Sequence, residues 1–127
     1  MSKAALIVGA GDATGGAIAK AFAREGYVAC VNRRARNADQ LEALAQSIRD
    51  EGYQSRAYPA DARIEDEVVA MVDAIERDVG PIEVAVFNIG ANVNFSVLDM
   101  TAQVYRKVWE MAAFAGFLMG REAARRM

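Results

Sequence analysis

The chemistry of this sequence centres on VGAGDATGGAIA, Val8 to Ala19. An apolar run stops at Gly9, small or polar residues follow, and Gly15 and Gly16 lead into an alanine-rich helical pattern. So little side chain between a strand and a helix lets another molecule reach the backbone. The unpaired N–H groups and positive dipole end of such a helix suit a phosphate. The spacing separates kinds of phosphate turn. G-x-G-x-x-G would need glycine where Thr14 stands, and the G-K-S/T run of a P-loop does not occur. G-x-x-x-G-x-G read from Gly9 gives Gly9, Ala13 and Gly15, two glycines and their smallest substitute. The sequence has no histidine. Ser-His-Asp and Cys-His catalysis and the common zinc sites are therefore excluded, and no metal site is expected. Acid–base work would fall to Tyr, Lys, Asp or Glu.

Alternating strand and helix signals must position this turn. Ala4–Gly9 reads as a short buried strand and Thr14–Glu25 as a helix closed by Gly26. Tyr27–Asn32 reads as a second, continuously apolar strand. Ala38–Glu51 is a second helix with Leu41, Leu44, Ala45 and Ile48 on one face, ended by Gly52. Gln54–Ala60 is a third, more polar strand. Glu65–Val79 is a third helix, with Val68, Met71, Val72 and Ile75 at helical spacing, stopped by Gly80-Pro81. Ile82–Asn88 is the fourth strand. After the loop Ile89–Met100, Thr101 is a good N-cap and the pattern runs helical to about Arg126. This order predicts an α/β fold: a doubly wound parallel sheet with right-handed crossovers and helices on both faces, one domain over 1–127. In such a sheet the turn after the first strand faces the ligand crevice.

The totals fit one soluble domain with a real core, since 54 % of the 127 residues are apolar and 25 % charged. A net charge of −2 with no block of one sign points to neither nucleic acid nor a membrane surface. Cys30 is the only cysteine, which rules out an internal disulfide and fits a reducing, cytoplasmic setting. The N-terminal AALIV is too short for a signal core or a span.

Taken in order, four segments resemble the short-chain dehydrogenase/reductase family. VGAGDATGGAIAKAF is similar to its T-G-x-x-x-G-x-G-x-x-I/V-A element. The second strand ends VNRR, the third ends in Asp61-Ala62, and the fourth ends FNIGAN, similar to N-N-A-G. The resemblance covers essentially the whole chain but only the first half of the family's usual length. It therefore implies a Rossmann-like dinucleotide-binding domain, strand order 3-2-1-4, truncated before the catalytic half. Val8 replaces the family's threonine, Ala13 its middle glycine, and Ile89 its second asparagine. Asp12 brings a negative charge near the expected pyrophosphate, as an N-cap of the first helix or as a repulsion.

The resemblance assigns Gly9, Gly11, Asp12, Ala13, Thr14 and Gly15 to the pyrophosphate turn, with Gly9, Gly11, Thr14 and Gly15 as the cradle. An acidic residue at the end of the second strand marks NAD in this family, because a carboxylate accepts from the ribose 2′-OH. Asn32 occupies that place here, and Arg33 follows. A guanidinium can bind a 2′-phosphate and stack on adenine, so NADP(H) is implied over NAD(H), with Arg34 and Arg36 assisting. A solvated basic loop is the plain alternative. Asp61 and Ala62 fall at the crevice mouth beside adenine, unless Asp61 simply caps the third helix. Asn88, Ile89 and Gly90 fall on the ribose side, unless they form only a strand-end turn.

The family's chemistry needs Y-x-x-x-K with a serine upstream: the lysine lowers the tyrosine pKa, so tyrosine passes a proton while nicotinamide passes a hydride. Four residues after Tyr27, Tyr53, Tyr58 and Tyr105 stand Val31, Ala57, Ala62 and Trp109, and the only lysines are Lys3, Lys20 and Lys107. No residue receives a catalytic role. Ala113 stands where many members carry an asparagine, three before Gly116. In the last helix, Val104, Val108, Met111, Ala112, Ala115, Leu118 and Met119 form an apolar stripe, with Trp109, Phe114 and Phe117 on other faces. The family uses this helix between subunits, which implies a homo-oligomer. With the sequence ending at Met127, the interior-looking fourth strand is expected to be an unpaired edge. The complete protein is expected to exchange hydride between NADP(H) and a small alcohol or carbonyl substrate, and this chain alone to be inactive. The rival is a noncatalytic NADP-binding or interaction module that pairs through the fourth strand or last helix. A second rival is a different doubly wound domain, of flavin or phospho-receiver type; the receiver is disfavoured, because no acidic pair follows the first strand and the late lysine is absent.

Overall fold

Ala4–Val8 forms strand β1, and all five residues are buried. Successive strand side chains point to opposite faces, so an unbroken apolar run needs cover on both. Val28–Asn32 (β2) is buried in the same way. Ser55–Ala57 forms β3 and Ile82–Phe87 forms β4. The computed structural model describes residues 2–11, 13–90 and 93–127. Within it every strand pairing is parallel and the order is β3-β2-β1-β4. Helices α1 (Thr14–Arg24), α2 (Ala38–Asp50) and α3 (Glu65–Asp78) connect the strands, and α4 (Ala102–Trp109) and α5 (Ala115–Arg126) follow β4.

Two cores result, one on each face. Ala5 and Ile7 of β1 meet Ala19 and Ala23 of α1 and Leu41, Ala45 and Ile48 of α2. Leu6 and Val8 meet Val68, Val72 and Ile75 of α3 and Ala115, Leu118 and Met119 of α5. Each fully buried Leu or Ile contributes about 1.5–3 kcal/mol. Cys30 sits inside β2 with no exposure, and burial pushes its thiol up to about 12. Ion pairs tie α5 to α3: Arg126 reaches Asp73 at 2.5 Å and Glu76 at 2.9 Å, and Arg121 pairs with Glu65. Buried Glu122 accepts from Arg121 and Arg126, each at 3.0 Å. Among the described residues no helix is long and apolar enough to cross a membrane.

Two elements differ from the sequence expectation. β3 stops at Ala57 rather than Ala60, because Pro59 has no N–H to give a ladder. The chain still runs beside β2, with Tyr58 N donating to Val31 O (2.8 Å) and Ala60 N to Arg33 O (2.9 Å). The single last helix is instead α4, a five-residue π-helical stretch over Glu110–Phe114, and α5. The wider turn rotates the apolar stripe: Ala115, Leu118 and Met119 are buried, while Ala112 is exposed and Val104 and Val108 half-buried. The Thr101 cap is as expected, its Oγ1 accepting from Val104 N at 3.2 Å. β4 is the outer strand of the described sheet, half-buried over residues 84–87.

Candidate functional site

The ends of β1, β2 and β4 converge on the glycine turn. Gly9 leaves β1 at φ +88°, a left-handed conformation open to glycine, and a Cβ there would lie 2.7 Å from Asn88 O. Gly9 N and Ala10 N both donate to Asn32 O, at 3.1 and 3.0 Å. Asn88 N donates to Val8 O at 2.8 Å, and Asn88 Nδ2 to Gly9 O at 3.4 Å. The turn is thus fixed from both neighbouring strands. Helix α1 presses onto it: a Cβ on Gly15 would come within 2.3 Å of Gly9 O, and one on Gly16 within 2.4 Å of Gly11 O. Gly11 differs. Its nearest neighbour on that side is Arg33 Cζ at 4.0 Å, so the missing side chain leaves open space rather than a packed contact.

That space belongs to a cleft of about 250 Å³ at the carboxyl ends of the strands. Gly9, Gly11, Asn32, Arg33, Asp61, Ala62, Asn88, Ile89 and Gly90 all line it. Ala13, Thr14 and Gly15 lie outside the lining. Ala13 is the N-cap of α1, Thr14 begins the helix and Gly15 is buried beneath the turn. As an N-cap Ala13 has no side-chain acceptor and gives the first turn of α1 no cap bond. Asp12 lies outside the described residues.

Asn32 is 1 % exposed, and its amide points across the sheet rather than into the cleft. Nδ2 donates to Tyr58 O at 2.9 Å and to Ala60 O at 3.2 Å. Arg33 donates to Gln40 Oε1 on α2 at 3.3 Å, which holds its guanidinium over Gly11. Asp61 does not cap α3, whose N-cap is Ile64. Its carboxylate accepts instead from Arg63: Nε at 3.0 Å, Nη2 at 2.7 Å and backbone N at 3.0 Å. The Arg63 guanidinium holds the Asp61 carboxyl below its ordinary range, against the opposing effect of burial.

Sequence reasoning missed Arg63 and Met111, both of which line the cleft. Arg63 follows Asp61 by two residues, a spacing that allows a local turn bond. Met111 arrives through the π-helical stretch, for which the sequence offers no proline or other local signal. Arg34 and Arg36 also line the cleft, so among the described residues four arginines and one already-paired carboxylate surround open backbone. That arrangement is chemically suited to an anion. A larger hollow of about 900 Å³ is lined by Phe95, Val97 and Met100 of the loop after β4 and by Tyr105 and Trp109 of α4, and shares no lining residue with the cleft.

Comparison with known proteins gives the same region a context. A model of the short chain dehydrogenase family matches residues 3–127. Gluconate 5-dehydrogenase of Gluconobacter oxydans is 30% identical over 123 residues, which are 97% of this chain and 47% of that protein. A 3-oxoacyl-(acyl-carrier-protein) reductase of Staphylococcus epidermidis is 33% identical over 108 residues, 85% of this chain and 44% of that one. A crystal structure of a short-chain dehydrogenase from Rhodopseudomonas palustris is similar with a TM-score of 0.91 and 47% identity, covering 98% of this chain and 57% of that one. The chain spans about half the length of the curated relatives it matches.

Proposed function

The chain belongs to the short-chain dehydrogenase/reductase family, and on that premise we propose that its cleft holds NADP(H) as the nucleotide-binding part of an alcohol or carbonyl oxidoreductase. The observation that carries the reading is Gly11: among the glycines of the turn it alone faces open space, and an arginine lies across that space. Gly9, Gly15 and Gly16 hold the turn against its neighbours, which presents the N-terminal end of α1 to a diphosphate. Arg33, steadied by Gln40, takes the 2′-phosphate, and Arg34 and Arg36 add positive charge. Asn32 brings no carboxylate to oppose it. Asp61 and Ala62 face the adenine end, and Asn88, Ile89 and Gly90 the ribose end. When bound, the nicotinamide supplies hydride exchange.

The chain's own residues stop short of a proton relay. No tyrosine has a lysine four residues on. Burial pushes the Tyr58 hydroxyl up to about 12, the wrong direction for a group that must give and take a proton near neutrality. The chain by itself therefore binds NADPH weakly and turns over nothing. The relatives are named for gluconate oxidation and 3-oxoacyl reduction, which supports an alcohol/carbonyl substrate class for the whole protein. Exposed Tyr105, Trp109 and Phe117 on α4 and α5 support pairing of these helices in a homo-oligomer.

The test is titration of the purified chain with NADPH and NADH, read by nicotinamide fluorescence. NADPH should bind more tightly, and Arg33→Ala should weaken NADPH about tenfold, the value of one charge-assisted contact, with little effect on NADH. Equal affinity for the two, or binding of neither, refutes the assignment. Sustained NADPH oxidation with any carbonyl compound refutes the inactivity.

A further inference from the structure

Asp61 is the only carboxylate among the described residues lining the cleft, and it shares that lining with Arg33, Arg34 and Arg36. A free carboxylate there would draw a guanidinium onto itself and repel an anionic ligand. Asp61 is not free. Arg63 grips both oxygens, Nε to Oδ1 at 3.0 Å and Nη2 to Oδ2 at 2.7 Å, and its backbone N–H adds a third bond to Oδ1 at 3.0 Å. Glu67 fixes the backbone behind the pair by accepting from Asp61 N at 3.0 Å. The two side chains are only 27% and 17% exposed, so water competes weakly for them. The positive charge of Arg34 also helps to hold the Asp61 carboxyl down, after Arg63 itself.

We propose that Arg63 is a positioning residue: by occupying Asp61 it leaves Arg33, Arg34 and Arg36 to the ligand, and so sets the preference for a 2′-phosphorylated nucleotide over its unphosphorylated form. This inference rests on the nucleotide reading of the cleft. It differs from a direct phosphate contact, because the two Arg63 nitrogens that form the planar fork are committed to Asp61. A substitution at Arg63 acts on the ligand through the carboxylate it uncovers.

The experiment is a double-substitution cycle on the full chain: Arg63→Gln, Asp61→Asn, and both together. NADPH and NADH affinities are measured by fluorescence, beside urea unfolding midpoints. The readout is the ratio of the two affinities, which a general loss of structure lowers for neither nucleotide selectively. Arg63→Gln should reduce the NADPH preference about fivefold, the upper range for one partly exposed charge pair. Adding Asp61→Asn should restore the ratio to within about twofold of wild type, because coupled neighbours are not additive. An unchanged ratio in Arg63→Gln overturns the proposal. So does a ratio that stays low in the double variant, which would make Arg63 a direct ligand contact. Should Arg63→Gln fail to fold, the comparison of Asp61→Asn with the double variant decides: equal ratios support the proposal and a further fall overturns it. Wild-type chain that binds neither nucleotide removes the underlying reading, and this inference with it.

Discussion

Asn32→Asp is the substitution with which a change of preference toward NAD(H) would begin, since it places a carboxylate at the end of β2. The structure predicts that it damages the fold first. Asn32 Nδ2 gives its two hydrogens to Tyr58 O at 2.9 Å and Ala60 O at 3.2 Å, in a site 1 % exposed. A carboxylate only accepts. The two lost bonds are worth about 1 kcal/mol each, and facing a buried carboxylate with two carbonyl oxygens costs about 2 kcal/mol more. The sum, about 4 kcal/mol, is a large part of the roughly 5–15 kcal/mol that holds a domain together. At about 4 °C per kcal/mol for a chain of this size, Tm should fall by about 15 °C. The penalty depends on pH. The introduced carboxyl has a folded pKa raised above its unfolded value of about 3.9, and once protonated it can donate one bond. A raised folded pKa gives stability that is present at low pH and lost as pH rises. The gap to wild type should thus be smallest near pH 4 and widest at pH 7. Urea unfolding of both proteins at the two pH values measures it. A variant within about 0.5 kcal/mol of wild type at pH 7, or a gap that widens on acidification, refutes the reasoning.

The two kinds of turn glycine should behave differently. Gly15→Ala puts a Cβ 2.3 Å from Gly9 O and should cost about 2–3 kcal/mol in urea unfolding. Gly11→Ala meets nothing closer than Arg33 Cζ at 4.0 Å, so Tm should hold while NADPH affinity drops about tenfold. Two carboxyls contribute to the acid limb of stability. Arg63 holds Asp61 below its ordinary range and Arg126 does the same for Glu122. Depressed folded pKa values give stability that is full at neutral pH and lost as pH falls below about 4, and Glu122→Gln should flatten that limb in urea midpoints taken across pH.

Much of the scaffold is legible because its signals are local. AALIV has the unbroken apolar run of a two-face strand, and Gly26, Gly52 and Gly80 end helices whose buried residues repeat at helical spacing. The turn is legible because close backbone approach demands glycine. What each glycine approaches is not, since Gly9 meets Asn88, seventy-nine positions away, only after the sheet has formed. Asn32 could be read as a missing acid but not as a clamp on Tyr58 and Ala60, because that role depends on where Pro59 ends β3. The π-helical stretch escapes because MAAF has the same composition as the helix around it. Its effect, bringing Met111 to the cleft and turning Ala112 outward, is a matter of register that no single residue announces.

Cys30 gives this fold an internal clock. It is the sole thiol, lies at the centre of β2 with no exposure, and burial raises its pKa to about 12. A thiolate-seeking reagent has nothing to attack while the sheet is closed. The rate of labelling therefore counts sheet openings one molecule at a time, and its slowing on adding a coenzyme would report occupancy without any enzyme turnover.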